Sequence, residues 1–405
     1  MLITTLFPRG HERYEASPVA ADLEAFASWL GAAGYSREKT RDHVCRLKQA
    51  LARLRPQSPH ATFTEAQLQA AFRSRSCRPH YRATQRAFAR FLRQVGRLSV
   101  PSSRDPLTML RVDYLQSLSE RRGLALATIQ QHDSTLKDFL SRGLSSQRSL
   151  AGLRAEDIER YVHRRSQEVT RDTVQHVVAH LRAFLRYGHA QGTIPQPLDV
   201  IDTPRTYRGE RLPRALAWPL VLKLLASVDR RSRAGWRDAA ILHLMACYGL
   251  RPSEIISLTL TSIDWRAKTL QVEQRKTRSL LTVPLMDPTV SILQRYLRQG
   301  RPVSEHPQLF LRARAPVGAL THSGVGDLFQ KRASLSGLPL DGVSSYGLRH
   351  AFAMRLLRQG VGVKAIGDLL GHRSIESTAI YLRLHTDMLR GVALPVPRVS
   401  GRRCA

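Results

Sequence analysis

The stretch SSYGLRHAFAMRLLRQG (344–360), followed directly by VGVKAIGDLLGHRSIESTAIYLRL (361–384), decides how this chain folds. In the first string Ser345 stands where a helix N-cap is expected. Leu348, Phe352 and Leu356 recur at i, i+4 and i+8, which predicts a helix burying those three. Tyr346 and Arg349, three apart, are neighbours on another face of the first turn. The unpaired amides of a helix N-terminus attract anions, so an arginine and a phenol there form a credible phosphate pocket. The second string reads as two short helices joined at Gly371-His372-Arg373, with Ser374 capping the second and Ile375, Ala379 and Leu382 as its buried stripe. His372 falls in the connecting turn. Tyr381 falls nine residues later, in the second helix and just beside the stripe. Singly, Arg349 reads as a surface arginine and Tyr381 as a core tyrosine; the conjunction changes the reading.

Upstream, YGLRPSEI (248–255) supplies Arg251 and EQRKTRS (273–279) supplies Lys276. Two arginines, a lysine, a histidine and a late tyrosine are the parts needed to break and rejoin a phosphodiester without metal. Cleavage needs charge neutralised on the non-bridging oxygens, a nucleophile and a proton for the leaving oxygen, and guanidinium groups are fixed bidentate clamps for phosphate oxygens. No acidic cluster or metal-type histidine spacing accompanies them, which disfavours a two-metal nuclease, and His350 and His372 are too far apart to be read as a ligand pair. No cofactor and no metal are expected.

The charge balance suggests the substrate. Lys and Arg number 63 against 32 Asp and Glu, a formal charge of +31 on 405 residues. Such an excess attracts a polyanion, usually DNA or RNA, although an arginine-rich coding bias produces the same composition. The hydrophobic content of 42% is ordinary for a globular protein. Cys45, Cys77, Cys247 and Cys404 are scattered, which fits neither a disulfide framework nor a zinc site. The short apolar run in MLITTLFPRGHERYE does not make a signal peptide, and no long apolar stretch spans a membrane. A soluble, cytoplasmic, DNA-associated protein is expected.

The first half looks like one helical unit written twice. FASWLGAAGYSREKT, RLKQALARL and a helix ending RAFARFLRQVGRLSVP are echoed by YLQSLSERRGLALAT, TLKDFLSRGL and a helix ending HLRAFLRYGHAQGTIP. In each copy a glycine follows an amphipathic helix and a threonine five or six residues later opens the next. In the first copy Arg78, Arg82, Arg86, Arg90, Arg93 and Arg97 step by four or three onto one face, opposite Tyr81, Phe88, Phe91, Leu92 and Val95 with Thr84 among them. No acids at i±4 compensate this ridge, so it reads as a DNA contact rather than a solvated face. In the second copy Val174, Val177, Val178, Leu181, Phe184 and Leu185 read as core only.

The expected organisation is an N-terminal helical DNA-binding module (1–100), a second helical module of core-binding type (101–192), a basic extended linker (193–214), a catalytic domain (215–390) and a mobile tail (391–405). The fold class is mainly α with a small β-sheet. Within the catalytic domain, helices are expected near 217–228 and 235–248, after Pro252, after Pro288 and from 321 onward, with strands near 269–274 and 280–285.

The boxes YGLRPSEI, LRHAFA, LLGH and the tyrosine nine residues beyond it closely resemble the tyrosine recombinase (phage integrase) family over roughly residues 215–390. The helical modules resemble that family's core-binding domain. The resemblance implies that Arg251 and Arg349 clamp the scissile phosphate, that Lys276 on a β-hairpin protonates the 5′ leaving oxygen, and that His372 hydrogen-bonds the phosphate. It implies Tyr381 as the nucleophile of a 3′-phosphotyrosyl intermediate. It also implies double-stranded DNA as partner and a homotetramer assembled on it, alone or with related recombinases, in integration, transposition or excision of a mobile element. One position departs: the family's histidine three residues before the second arginine is Tyr346 here. A phenol, with pKa about 10, donates to a phosphate oxygen as a neutral group at pH 7, so activity is expected to survive. Tyr346 is also a second phenol near the site, but position favours Tyr381. The rival readings are a type IB topoisomerase-like relaxing enzyme and a catalytically impaired accessory protein.

Overall fold

The computed structural model describes residues 2–52, 62–73, 78–99, 106–143, 152–205, 214–274, 279–372 and 374–384. Two compact units result: residues 1–98 with 211–405, and residues 99–210.

In the first unit the N-terminal segment runs α1 (Leu2–Leu6), α2 (Glu12–Glu15), α3 (Ala20–Ala32), α4 (Arg37–Leu51), β1 (Phe63–Thr64), α5 (Glu65–Phe72), α6 (Pro79–Gln94) and β2 (Leu98–Ser99). Ser36 starts α4 by accepting from the Lys39 N–H, and Thr64 and Gln67 form a reciprocal capping box on α5. The core gathers Leu23, Phe26 and Leu30 of α3, Val44 and Leu47 of α4, and Phe88, Phe91 and Leu92 of α6. Phe26 and Phe88 meet edge to face at 5.3 Å. The α6 prediction holds at Tyr81, Thr84, Phe88, Phe91 and Leu92, all buried, but Val95 is 45% exposed because the helix has ended at Gln94.

The second unit contains α7 (Pro106–Glu120), α8 (Leu126–Arg142), α9 (Ala155–Glu168) and α10 (Arg171–Ala190), around Tyr114, Phe139, Tyr161 and Phe184. The two helical segments share a polar device. In the first, His43 Nδ1 and Thr84 Oγ1 bond at 2.9 Å between α4 and α6; in the second, Thr135 Oγ1 and His180 Nδ1 bond at 2.9 Å between α8 and α10. The glycine phase also recurs. Gly34 and Gly123 adopt positive φ, and the caps Ser36 and Ala125 follow two residues later, so Thr40 and Thr128 lie inside the helices rather than opening them. Residues 193–205, read from their prolines as part of a linker, pack instead onto α10. Ile194, Leu198 and Ile201 enter the core, Gln175 Nε2 donates to Pro204 O, and Arg186 pairs with Asp199 at 2.7 Å. Residues 206–213 lie outside the described residues.

The C-terminal part of the first unit runs α11 (Trp218–Ala226), α12 (Arg233–Cys247), α13 (Pro252–Ser257), β3 (Ile263–Asp264), β4 (Thr269–Gln274), β5 (Ser279–Pro284) and α14 (Asp287–Arg295). Then follow α15 (His322–Ser336), α16 (Tyr346–Arg358), α17 (Val363–Leu370) and α18 (Glu376–Ala379). Helix α12 is apolar nearly all round, and its Ala239, Ile241, Leu242, Leu244 and Met245 are fully enclosed. The antiparallel sheet has the order β3-β4-β5, with Thr269 opposite Pro284 and Gln274 opposite Ser279. Leu270 and Val272 alternate inward along β4, as a period of two requires. Asp238 of α12 is 2% exposed and binds both Arg237 and Arg332 at 2.7 Å, so its charge is shared by two cations. Among the described residues no helix is long and apolar enough to cross a membrane.

Candidate active site

Two glycines set the geometry. Gly249, between α12 and α13, has φ +64°, and Gly371, at the end of α17, has φ +60°; this left-handed region strains any residue with a Cβ. Space is also short, since a Cβ on Gly249 would lie 2.6 Å from the Phe352 ring and one on Gly371 would lie 2.1 Å from Gln274 Oε1. Their carbonyls receive the two arginines. Arg349 Nη1 donates to Gly249 O at 2.6 Å and its Nη2 to Leu370 O; Arg251 Nη2 donates to Gly371 O at 3.3 Å. The loops at 249 and 371 are thereby tied to α16 and α13.

Glu254 lies between the guanidinium groups. Its side chain is 3% exposed, accepts from the Arg251 N–H at 2.8 Å and from Arg251 Nη1 at 2.6 Å, and stands 3.8 Å from Arg349 Nη1. The sequence explains this locally: Pro252 occupies the first turn of α13, and Glu254 three residues after Arg251 reaches back to the cap amide. Arg349 is 4% exposed, and burial together with the neighbouring Arg251 lowers its pKa to about 10. It remains a cation at neutral pH. Repulsion between the two arginines makes the pocket favourable to a further anion.

Tyr381 is 3% exposed and packs with Ala353, Met354, Leu357, Ile366 and Leu370. It does not lie in a helix: α18 ends at Ala379, and Tyr381 occupies the turn that follows, its N–H donating to Thr378 O at 3.0 Å. Burial raises the phenol pKa, against the lowering effect of Arg349 and then Arg251, which are near enough to act on it. The hydroxyl bonds His350 Nδ1 at 2.9 Å. His372 sits in the turn after Gly371, oriented by a 2.7 Å bond from its Nδ1 to Thr378 Oγ1, and Thr378 is 1% exposed. Tyr346 is 38% exposed at the start of α16, close enough to Arg349 to influence it.

Arg251, Arg349 and Tyr381 therefore lie near one another, with Tyr346 beside Arg349 and His372 next to Gly371, whose carbonyl Arg251 holds. Lys276 lies outside the described residues; of the strand ends that bracket it, Gln274 reaches Gly371. Some sequence details fail. Ile375 is 61% exposed, and the inward positions of this segment are Thr378 and Tyr381, because a four-residue helix is too short to keep a stripe in phase. Ser374 Oγ does accept from the Glu376 N–H at 3.2 Å. On α16, Phe352 and Leu356 are only half-buried, and Ala351, Ala353, Met354 and Leu357 take the interior. Ser345 occupies the cap position without a side-chain cap bond.

The arginine ridge is five exposed residues rather than six. Arg78, Arg82, Arg86, Arg90 and Arg93 face outward, while Arg97 lies beyond the end of α6 and pairs with the buried Asp22 at 2.6 Å. Compensating acids do exist, supplied by other helices: Glu65 of α5 meets Arg93 at 3.2 Å. Residues given no role from the sequence join the site, namely Gly249, Glu254, His350 and Thr378, and Gly371, read there only as a helix joint, supplies a carbonyl. The signal for Glu254 was its capping-box spacing; the others had none.

Residues 220–388 match the phage integrase family, and residues 112–192 match the phage integrase N-terminal SAM-like domain. A putative integrase/recombinase (y4rA) of Sinorhizobium fredii is 33% identical over 287 residues, covering 70% of each chain. Tyrosine recombinase XerD of Listeria monocytogenes is 29% identical over 287 residues, covering 69% of this chain and 94% of that protein. Among solved structures, a lambda integrase dimer bound to a COC′ core site superposes with a TM-score of 0.54 at 19% identity, covering 80% of this chain and 91% of that one.

Proposed function

The chain belongs to the phage integrase family of tyrosine recombinases, enzymes that cut and rejoin DNA strands, and on that premise we propose that Tyr381 performs the cut with Arg251 and Arg349 holding the phosphate. The observation that carries this assignment is the position of the Tyr381 phenol, near both guanidinium groups, which two glycine turns hold by their carbonyls. The Tyr381 oxygen attacks phosphorus in line, the bond to the 5′ oxygen breaks, and the energy of the old ester is kept in a 3′-phosphotyrosyl bond until another 5′-hydroxyl reverses the step. Arg251 and Arg349 stabilise charge on the non-bridging oxygens, and His372, oriented by Thr378, adds a donor. Lys276 is the acid for the leaving oxygen. Tyr346 donates as a neutral phenol from the position the family gives to histidine.

The exposed arginines Arg78, Arg82, Arg86, Arg90 and Arg93 contact the backbone of double-stranded DNA in this reading, and the working assembly is a DNA-bound tetramer in the cytoplasm. Residues 1–100, 101–192 and 215–390 act as two DNA-gripping helical modules and the catalytic domain. The matches to integrases and recombinases favour recombination over the topoisomerase and accessory readings.

The test is covalent trapping on a nicked suicide duplex. Wild-type protein is expected to survive denaturation attached to DNA, and Tyr381→Phe to bind the duplex without attaching. Trapping that persists in Tyr381→Phe and disappears in Tyr346→Phe transfers the role to Tyr346.

A further inference from the structure

A phenol attacking phosphorus has to lose its proton, and none of the groups assigned above takes it. Among the described residues, the side chain that bonds the Tyr381 hydroxyl is His350, at 2.9 Å through Nδ1, with the two rings 5.7 Å apart and inclined at 54°. His350 follows Arg349 directly in α16, so it rides on the same helical turn as the phosphate clamp. Resting on the reading of Tyr381 as nucleophile, we propose that His350 is the general base of strand cleavage, receiving the phenol proton on Nδ1 as the tyrosine oxygen bonds to phosphorus.

The atoms balance. The Tyr381 O–H bond breaks, its proton passes to Nδ1, the O–P bond forms and the P–O5′ bond breaks, with the leaving oxygen protonated by Lys276 in the scheme above. In rejoining, an incoming 5′-hydroxyl attacks phosphorus and the imidazolium returns its proton to the departing tyrosine oxygen. A histidine that accepts from Tyr381 through Nδ1 must carry its own hydrogen on Nε2 and be uncharged beforehand. Burial, then the adjacent Arg349, lowers the His350 pKa to about 4, so the ring is neutral and available as an acceptor at pH 7. So weak a base holds the proton only in concert with attack. A phosphate bound on Arg349 offsets the second of those two causes, so the base strengthens when substrate occupies the clamp. Tyr346 offers no such acceptor, since a neutral phenol is a far poorer proton acceptor than imidazole.

The experiment measures covalent trapping rates on a nicked suicide duplex of randomised core sequence, from which wild-type adducts are recovered and used as the defined substrate. His350→Asn keeps an acceptor near the Nδ1 position but cannot take a proton; it is expected to bind this duplex as wild type does and to form adduct about 10²-fold or more slowly. Replacing Tyr381 with 3-fluorotyrosine, a more acidic phenol, is expected to narrow the gap between wild type and His350→Asn, which a merely structural role would not do. A His350→Asn rate within a few-fold of wild type, or a gap that fluorination leaves unchanged, overturns the proposal. Absence of any wild-type adduct, or trapping by Tyr381→Phe, overturns the nucleophile assignment itself. Independently of DNA, nitrogen NMR of the wild-type protein at pH 7 is expected to show His350 protonated on Nε2 alone; an Nδ1–H tautomer or an imidazolium overturns the proposal.

Discussion

The helical segments register two of their helix pairs through buried imidazole–threonine bonds, whereas the C-terminal part of the chain gathers several arginines around shared buried carboxylates. In α4 and α10 the buried groups are neutral imidazoles: His43 and His180 each bond a threonine across a helix pair, and burial first of all lowers both pKa values to about 4. Around α12, α13 and α16 the buried groups are ions, with Asp238 between Arg237 and Arg332 and Glu254 beside Arg251 and Arg349. Neutral pairs suffice to register helices against each other. Charges are retained, at a desolvation cost, where a charged ligand is to be held. Asp238, and in the N-terminal segment Asp22 with Arg97, are instructive exceptions, buried ion pairs at which no role in the chemistry is assigned.

The largest test of that contrast is Asp238→Ala, which strands two largely buried arginines. It is expected to cost about 3–5 kcal/mol in denaturant unfolding, while His43→Ala costs about 1–3 kcal/mol because it removes one neutral bond from Thr84, whose hydroxyl still donates to His80 O. Equal losses from the two would erase the distinction. Next, Gly371→Ala is expected to lower trapping about 10²-fold or more, since moving the carbonyl that holds Arg251 misplaces a phosphate donor. A near-normal rate would show that the arginine needs no such tether.

The imidazoles give an intermediate effect. Their folded pKa values of about 4 lie below the ordinary 6.5, so the unfolded chain binds protons that the folded one refuses. Their contribution is complete above pH 6.5 and declines as pH falls toward 4. Melting temperature should therefore fall between pH 7 and pH 5, and less steeply in a His43→Asn, His180→Asn double variant. The smallest effect belongs to the surface. Alanines at Arg82, Arg86 and Arg90 should leave stability unchanged and reduce the slope of log affinity against log salt by about 0.9 for each phosphate no longer neutralised. An unaltered slope makes the ridge ordinary surface.

What the sequence revealed follows the same divide. Arg251, Arg349, His372 and Tyr381 were legible because their spacing to helix starts and turns is a one-dimensional pattern. Gly249 and Gly371 were not, since what matters there is which way a carbonyl points and how closely Phe352 or Gln274 approaches. His350 was invisible as a partner because its acceptor role depends on a residue 31 positions away. Of the misplaced members, Val95 and Arg97 come from carrying a helical period past Gln94, where α6 stops, and Ile375 from starting the period before α18 begins at Glu376. The apolar triple Ile194, Leu198 and Ile201 does have helix-like spacing, but Pro195 and Pro197 disguised it as a connector.

A phenol only 3% exposed has one more implication. On the reading of Tyr381 as nucleophile, a phosphate meets it only after the phenol is uncovered, so the chain at rest resembles a sheathed blade. Tyr381 lies in a short turn beyond α18 rather than within a long helix, so uncovering it means breaking its packing on α16 and α17 and its bond to His350 rather than unwinding a helix. Discrimination between correct and incorrect DNA can then be exercised before any bond is broken, at the moment the sheath opens.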